Sequence, residues 1–422
     1  MKNRILAASI ILFLSVTIQA GLLSNLTNTY ESHISGFVQS EHDRLQSNFP
    51  DDAFSYDCTP GKFSNRIETI DIDQAQLKIS HANVTNIYKS DPHSYLIFIA
   101  SDGTGKNSSA IMDMTGQALV DYLNPLIKSR IQCLNEREKL RKIDLSKLVV
   151  QGVPEQFPSN LALLAWLVKH SSDDHVRVIY SWGVGADQHA SLVKNTNNSA
   201  TGDTLMNQVN DAYNNASKEV LEIHAKDPNA SFVFVTTGFS RGAAAARILN
   251  NMILDRGFLD HYEYIIQPGK AEIGVSLLYD TVITQRQDIL HGKAINDSTN
   301  ISQKIDSRAY EISSKILQVL QISARNEYRK GFELKQAIGR NVIEISLPGS
   351  HSDIGGGYGF HGISAVTLKM GISFLSKAGV PMGILPSNFM PISSDYVIHD
   401  SRKFPIIPFD EQLKLPRQLN TR

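Results

Sequence analysis

The chain has 422 residues, with 41 Lys plus Arg against 42 Asp plus Glu, and a net charge of −1 excludes the basic footprint that non-specific nucleic-acid binding requires. Its 42% hydrophobic and 20% charged residues form a globular mixture, which excludes an intrinsically disordered chain. The length fits one large α/β domain with insertions, or two domains.

At the N-terminus, Lys2 and Arg4 precede the apolar run Ile5–Ile18, which ends at Gln19 and Ala20. This is the layout of a signal peptide, and the run is too short to cross the about 30 Å of a bilayer core. Residues 1–20 are therefore expected to be an export signal, and the protein to be periplasmic or secreted. Residues 21–90 are polar, carry a Cys-Thr-Pro-Gly turn at 58–61, and read as an N-terminal extension packed on the main body. Cys58 and Cys133 leave one disulfide and two unbridged thiols equally open, and two cysteines exclude a Cys-rich zinc site.

From residue 91 the pattern changes. Tyr95–Ala100 is a continuous apolar run bounded by Asp102-Gly103-Thr104-Gly105, which predicts a buried strand ending in a tight loop. Val176–Tyr180, Ser231–Thr236, Ile273–Tyr279 and Val342–Leu347 repeat that design. Helical stretches lie between them at Ala110–Leu134, Leu161–His170, Thr204–Lys226 and Arg241–Leu254. Alternating strands and helices over 91–385 predict an α/β fold, a mostly parallel sheet with helices on both faces. Such sheets bind ligands at the carboxyl ends of their strands, where the Gly-rich loops lie here. The polar, helix-prone stretch 283–335 reads as a lid or insertion, and 386–422 as a C-terminal tail.

Gly238-Phe239-Ser240-Arg241-Gly242 follows one of these strands and opens an Ala-rich helix, the context a nucleophile elbow requires. The two glycines let strand and helix approach around a strained turn that lifts the Ser240 hydroxyl to the top of the sheet. A serine hydroxyl needs a base, and in this α/β-hydrolase order the acid and histidine follow the serine. Asp280 ends one strand and His351 follows another, both on the same rim as Ser240. His351 is assigned as general base and Asp280 as the carboxylate that fixes its tautomer; Asp353 is the rival acid, but two positions away in the same loop it is poorly placed to orient the ring and reads better as a brace of that loop.

Acyl transfer also needs donors for the oxyanion. The Arg241 backbone N–H supplies one, and Gly103 or Thr104 a second. The rival reading of this loop as a phosphate loop fails, because Ala100 replaces its first glycine and Asn107 its final Ser/Thr. No nucleotide is expected. The 13 histidines form no metal-ligand pattern, so neither metal nor cofactor is expected.

These residues resemble the catalytic domain of type VI secretion lipase effectors, an α/β-hydrolase family. Phe98–Asn107 resembles the family's strand and D-G-T-x-x-N loop, and Tyr180–Gly185 its Y-x-x-G-V-G segment. Gly238–Arg247 is similar to G-F-S-R-G-A-x-x-A-R, and Tyr279-Asp280-Thr281-Val282 to W-D-T-V. Ala324–Arg329 and Pro348–Tyr358 resemble the block before the last strand and the histidine loop. The resemblance covers about 95–380. It implies a lipolytic esterase acting on phospholipid acyl esters, with Ser240, Asp280 and His351 at the matching positions. The expected partner is a lipid or membrane ester substrate, with peripheral membrane contact through Phe404–Phe409 or Phe389-Met390, unless these segments strap onto the core. The alternatives are a soluble carboxylesterase on small or polysaccharide-linked esters and a non-catalytic hydrolase-fold binding protein.

Overall fold

The computed structural model describes residues 69–89, 91–123, 157–186, 205–283, 305–329, 332–358 and 362–389. The expected export signal, both cysteines and the Phe404–Phe409 segment lie outside them. The strands are β1 (Ser94–Ser101), β2 (Val176–Ser181), β3 (Ser231–Phe239), β4 (Phe258–Asp260), β5 (Glu263–Ile266), β6 (Glu272–Tyr279), β7 (Gln318–Ala324) and β8 (Val342–Leu347). β4 and β5 pair as an antiparallel hairpin, and the other six form one parallel sheet in the order β2-β1-β3-β6-β7-β8. The helices that matter for the site are α1 (Thr69–Ser80), α2 (Asn160–Lys169), α3 (Leu205–Lys226), α4 (Arg241–Arg256), α5 (His351–Gly355) and α6 (Gly362–Lys377).

Alternation along the strands splits the core into two layers. Leu96, Phe98 and Ala100 of β1 face one side with α1, α2 and α6, while Ile97 and Ile99 face the other with α3 and α4. Both faces are covered, which is why these strands read as unbroken apolar runs. Each fully buried Leu, Ile or Phe contributes about 1.5–3 kcal/mol against leaving it in water. α2 is apolar all round because Asn160–Val168 are all buried, and Ser159 caps it by accepting the Ala162 N–H. α1, from the expected N-terminal extension, packs Ile72, Ala75 and Ile79 into the first layer.

Two expectations change. The stretch 283–335 is not wholly an insertion, because Gln318–Ala324 is β7, an interior strand of the sheet. Gln318, Gln321 and Ser323 break its apolar run, yet every residue of it is buried. Gln321 is tolerated because its Oε1 accepts from Arg247 Nη2 and Thr281 Oγ1, both at 2.6 Å, while its Nε2 donates to Glu344 Oε1 and the Lys335 carbonyl. Phe389 is also not a membrane contact: it is 1% exposed and packs against Phe157, with ring centroids 5.5 Å apart. No helix among the described residues is long and apolar enough to cross a membrane.

Candidate active site

The sheet order creates the site. From β1 the chain moves outward to β2, then returns to the other side of β1 as β3, so the loops after β1 and β3 diverge and open a crevice at the strand ends. Ser240 sits on the β3 side of that switch point with φ 60° and ψ −128°, a region hostile to a side chain. The flanking glycines make this turn possible. A Cβ on Gly238 would overlap Ala243, and one on Gly242 would overlap the Ser101 carbonyl. The turn is pinned on both sides, since Ser240 N–H donates to the Tyr279 carbonyl (3.0 Å) and the Ser240 carbonyl accepts from Val282 (3.2 Å).

Asp280 leaves β6 next door with φ 40°. Its N–H donates to the Ile322 carbonyl, and its Oδ1 accepts the Ala324 N–H at 2.9 Å, so the end of β7 fixes the carboxylate. Oδ2 then lies 2.5 Å from His351 Nδ1. Asp280 is fully buried, and Ser240 and His351 are each 4% exposed, so the contact is shielded from water. Burial pushes the imidazole below its ordinary value against the opposing pull of Asp280, which favours a neutral ring at neutral pH.

The histidine is set by its loop. Gly349, at φ 136°, turns the chain after β8, and Asp353 Oδ2 accepts the Ser350 N–H at 2.8 Å at the start of α5. Asp353 therefore braces the loop and leaves the ring contact to Asp280. Arg241 opens α4. Gly103 directs its N–H to Asp102 Oδ1 at 2.7 Å. Gly105 and Lys106 donate to the Val184 and Gly103 carbonyls. Thr104 N–H meets no acceptor among the described residues, and its buried hydroxyl has no partner there either.

Three features escaped sequence reasoning. Phe239, beside the serine, is 2% exposed and packs against His351 as a tilted ring pair with centroids 4.6 Å apart; a Cβ on Gly103 would stand 2.6 Å from its ring, and one on Gly355 would overlap it. Glu327 and Arg329 form a buried pair behind the histidine, with Arg329 Nη2 2.8 Å from Glu327 Oε2, which also accepts the His351 N–H at 3.3 Å. Burial raises the Glu327 carboxyl, but the Arg329 hydrogen bonds and charge outweigh it and hold the group down at about 2. The third is Asp102, which is fully buried with Tyr180 and Ser159 on its carboxylate. The available signals were a bulky residue inside the elbow, the Glu-x-Arg spacing, and a carboxylate directly after a buried strand. No group of three or more possible metal-ligand side chains occurs among the described residues.

Residues 148–267 match the family model for the type VI secretion phospholipase effector Tle1-like catalytic domain. This segment is Tle1-like. It holds α2, β2, α3, β3 with the elbow, α4 and the β4–β5 hairpin, while Asp280 and His351 follow it. Among solved structures, the chain is similar to the Tle1 effector bound to the VgrG spike of the type 6 secretion system. Identity there is 23%, coverage is 72% of this chain and 57% of that one, and the TM-score is 0.37. It is also similar to an uncharacterized protein from Pseudomonas aeruginosa, at 14% identity over 79% of this chain and 52% of that one, TM-score 0.36. A third is the apo form of Thermogutta terrifontis esterase 2, at 12% identity over 71% and 88%, TM-score 0.28. The chain spans little more than half the length of the first two. Comparison with curated proteins finds no match. The α/β architecture around the Tle1-like segment rests on the strand order itself.

Proposed function

We propose that the chain is a serine esterase of the α/β-hydrolase type that cleaves acyl esters of lipids, with phospholipids as the leading substrate. The observation that carries this reading is the 2.5 Å contact between Asp280 Oδ2 and His351 Nδ1, on the strand-end rim that also bears the Ser240 turn. Asp280 keeps the imidazole proton on Nδ1 and leaves Nε2 as the base. Nε2 takes the Ser240 proton as Oγ attacks the ester carbonyl carbon. The carbonyl oxygen becomes an oxyanion, stabilised by the N–H groups of Arg241 and Thr104. Gly103, the other candidate donor, points its N–H at Asp102, which favours Thr104.

The imidazolium gives its proton to the leaving alcohol oxygen as the carbon–oxygen bond breaks. Water, deprotonated by the same nitrogen, then hydrolyses the acyl-enzyme and frees Ser240. This chemistry uses no metal, nucleotide or other cofactor. The Tle1-like match supports a phospholipid over a small soluble ester, and such a substrate calls for peripheral contact between the strand-end rim and a bilayer. With residues 1–20 as an export signal, the activity belongs to the periplasm or the cell exterior.

Hydrolysis of short p-nitrophenyl esters and of phospholipid vesicles, each compared with folded Ser240→Ala, tests the reading. Wild type is expected to cleave both, and the variant neither. Cleavage of the short esters alone returns the soluble carboxylesterase. Equal rates for wild type and variant leave a hydrolase-fold binding protein.

A further inference from the structure

We infer that Asp102 is a positioning residue for the oxyanion loop: its carboxylate holds the Gly103 N–H, and so the start of the adjoining Gly103–Thr104 peptide, tying it to the head of α2 and the end of β2. This inference rests on the esterase reading and adds to it a residue outside the serine, histidine and aspartate set.

Asp102 is 0% exposed, and each of its polar groups is engaged. Its N–H donates to the Ser181 carbonyl (2.9 Å) and its carbonyl accepts from Gln208 Nε2 (3.2 Å). Oδ1 accepts the Gly103 N–H at 2.7 Å, while Oδ2 accepts Ser159 Oγ at 2.8 Å and the Tyr180 hydroxyl at 2.6 Å. These donors are themselves held. Tyr180 Oη accepts the Ser108 N–H at 2.9 Å, and Ser159 Oγ accepts the Ala162 N–H at 3.1 Å. Ser159 also bridges to Gly356 in the histidine loop, and Lys106 Nζ lies against Gly357. On the remaining side, a Cβ on Gly242 of the elbow would overlap the Asp102 carbonyl. Asp102 thus stands among three parts of the site, with its backbone against the elbow, its carboxylate on the oxyanion loop, and Ser159 linking it to the histidine loop.

Holding a carboxylate there is costly. Burial pushes its protonation equilibrium upward, while the Tyr180, Ser159 and Gly103 hydrogen bonds and the Lys106 charge work against that rise. What the arrangement gains is direction. The bond from Gly103 to Oδ1 and the turn closed by Lys106 N–H on the Gly103 carbonyl (2.9 Å) flank Thr104 on both sides. Thr104 N–H, which meets no protein acceptor among the described residues, is aimed before substrate arrives. Preorganised donors of this kind cost no rearrangement during the reaction.

The test compares Asp102→Asn, Tyr180→Phe and Thr236→Val with wild type, by steady-state hydrolysis of a p-nitrophenyl ester, the rate of covalent labelling by a phosphonate ester, and the thermal midpoint. Asp102→Asn keeps the volume but turns one acceptor into a donor facing two hydroxyls. It is expected to lower kcat and the labelling rate at least ~10-fold, with KM within about twofold. Tyr180→Phe shifts both rates in the same direction by less. Thr236→Val opens a buried cluster with Asn250 and Ser276 inside the sheet, and lowers the midpoint with kcat unchanged. A folded Asp102→Asn with wild-type kcat overturns the inference, as does a kcat that merely follows the midpoint in all three variants. If Asp102→Asn does not fold, unchanged rates in Tyr180→Phe overturn it. Wild type that neither hydrolyses nor is labelled overturns the esterase reading and this inference together, whereas labelled wild type with equally fast variants overturns this inference alone.

Discussion

Ser240 and Asp280 leave adjacent strands at the same level, one residue beyond the register pair Phe239 and Tyr279, and both do so with positive φ, 60° and 40°. Two non-glycine residues in this region, side by side, store about 1–3 kcal/mol each. Glycine relieves that strain. Ser240→Gly is expected to raise the unfolding free energy by ~1 kcal/mol while abolishing ester hydrolysis. Urea denaturation paired with an activity assay checks this, and a less stable variant contradicts it.

Removing the Asp280 charge separates geometry from electrostatics. Asp280→Asn keeps the shape but no longer holds the imidazole proton on Nδ1, and kcat is expected to fall by roughly 10⁴ with KM little changed. The measurement is kcat on a short p-nitrophenyl ester, with near-ultraviolet circular dichroism to show the fold retained. A fall below tenfold counts against Asp280 as the partner of His351.

Burial holds the His351 imidazole below its ordinary value of about 6.5. The acid limb of kcat/KM is therefore expected below pH ~6.5, with activity rising as the ring loses its proton. Stability carries the same sign. The unfolded chain takes up a proton near 6.5 that the folded ring resists, so the neutral ring's contribution is full above that pH and lost as pH falls through the lower folded value. Urea midpoints at pH 7.5 and pH 5 should differ more in wild type than in His351→Gln.

Behind the histidine, Glu327 and Arg329 are 0% and 6% exposed. Breaking such a pair leaves an uncompensated buried charge, so Arg329→Met is expected to cost about 3–5 kcal/mol and Glu327→Gln Arg329→Met together less. Arg329 also stacks on Phe332 at 3.5 Å, and Phe332 meets the His351 ring edge-on at 4.9 Å, so kcat should fall with the single change. Since the Glu327 carboxyl is held at about 2, its contribution is present above the usual glutamate range and lost as pH falls toward 2. A double-mutant cycle on thermal midpoints at pH 7 and pH 3.5 measures both effects.

Phe239 offers a steric test. Gly355→Ala forces a methyl into its ring and is expected to destabilise by about 1–3 kcal/mol and lower kcat, because the same ring supports His351. Pairing it with Phe239→Leu should recover part of the stability. No recovery would place the strain elsewhere.

What the amino-acid order disclosed was whatever is local. The Ser240 turn is written in five consecutive residues, and Asp280 and His351 each end or follow an apolar strand, so chain order alone assigned them to one rim. β7 was hidden because a Gln or Ser in mid-strand looks exposed until its partner is known, and the partner of Gln321 is Arg247, 74 residues earlier. Asp102 was visible only as part of a glycine-rich loop, since Ser159 and Tyr180 come from two other elements. The choice between Gly103 and Thr104 needed the direction of one N–H, which no residue pattern encodes.

The separation of Asp280 from His351 by 71 residues has a temporal side. A ribosome releases the serine first, its acid next and the imidazole last, with β7 and β8 still to be threaded into the sheet between them. A nascent chain lacking β8 and the loop after it holds a hydroxyl with no imidazole to take its hydrogen. Under the esterase reading, no acyl transfer can begin before the histidine loop has been synthesised and docked.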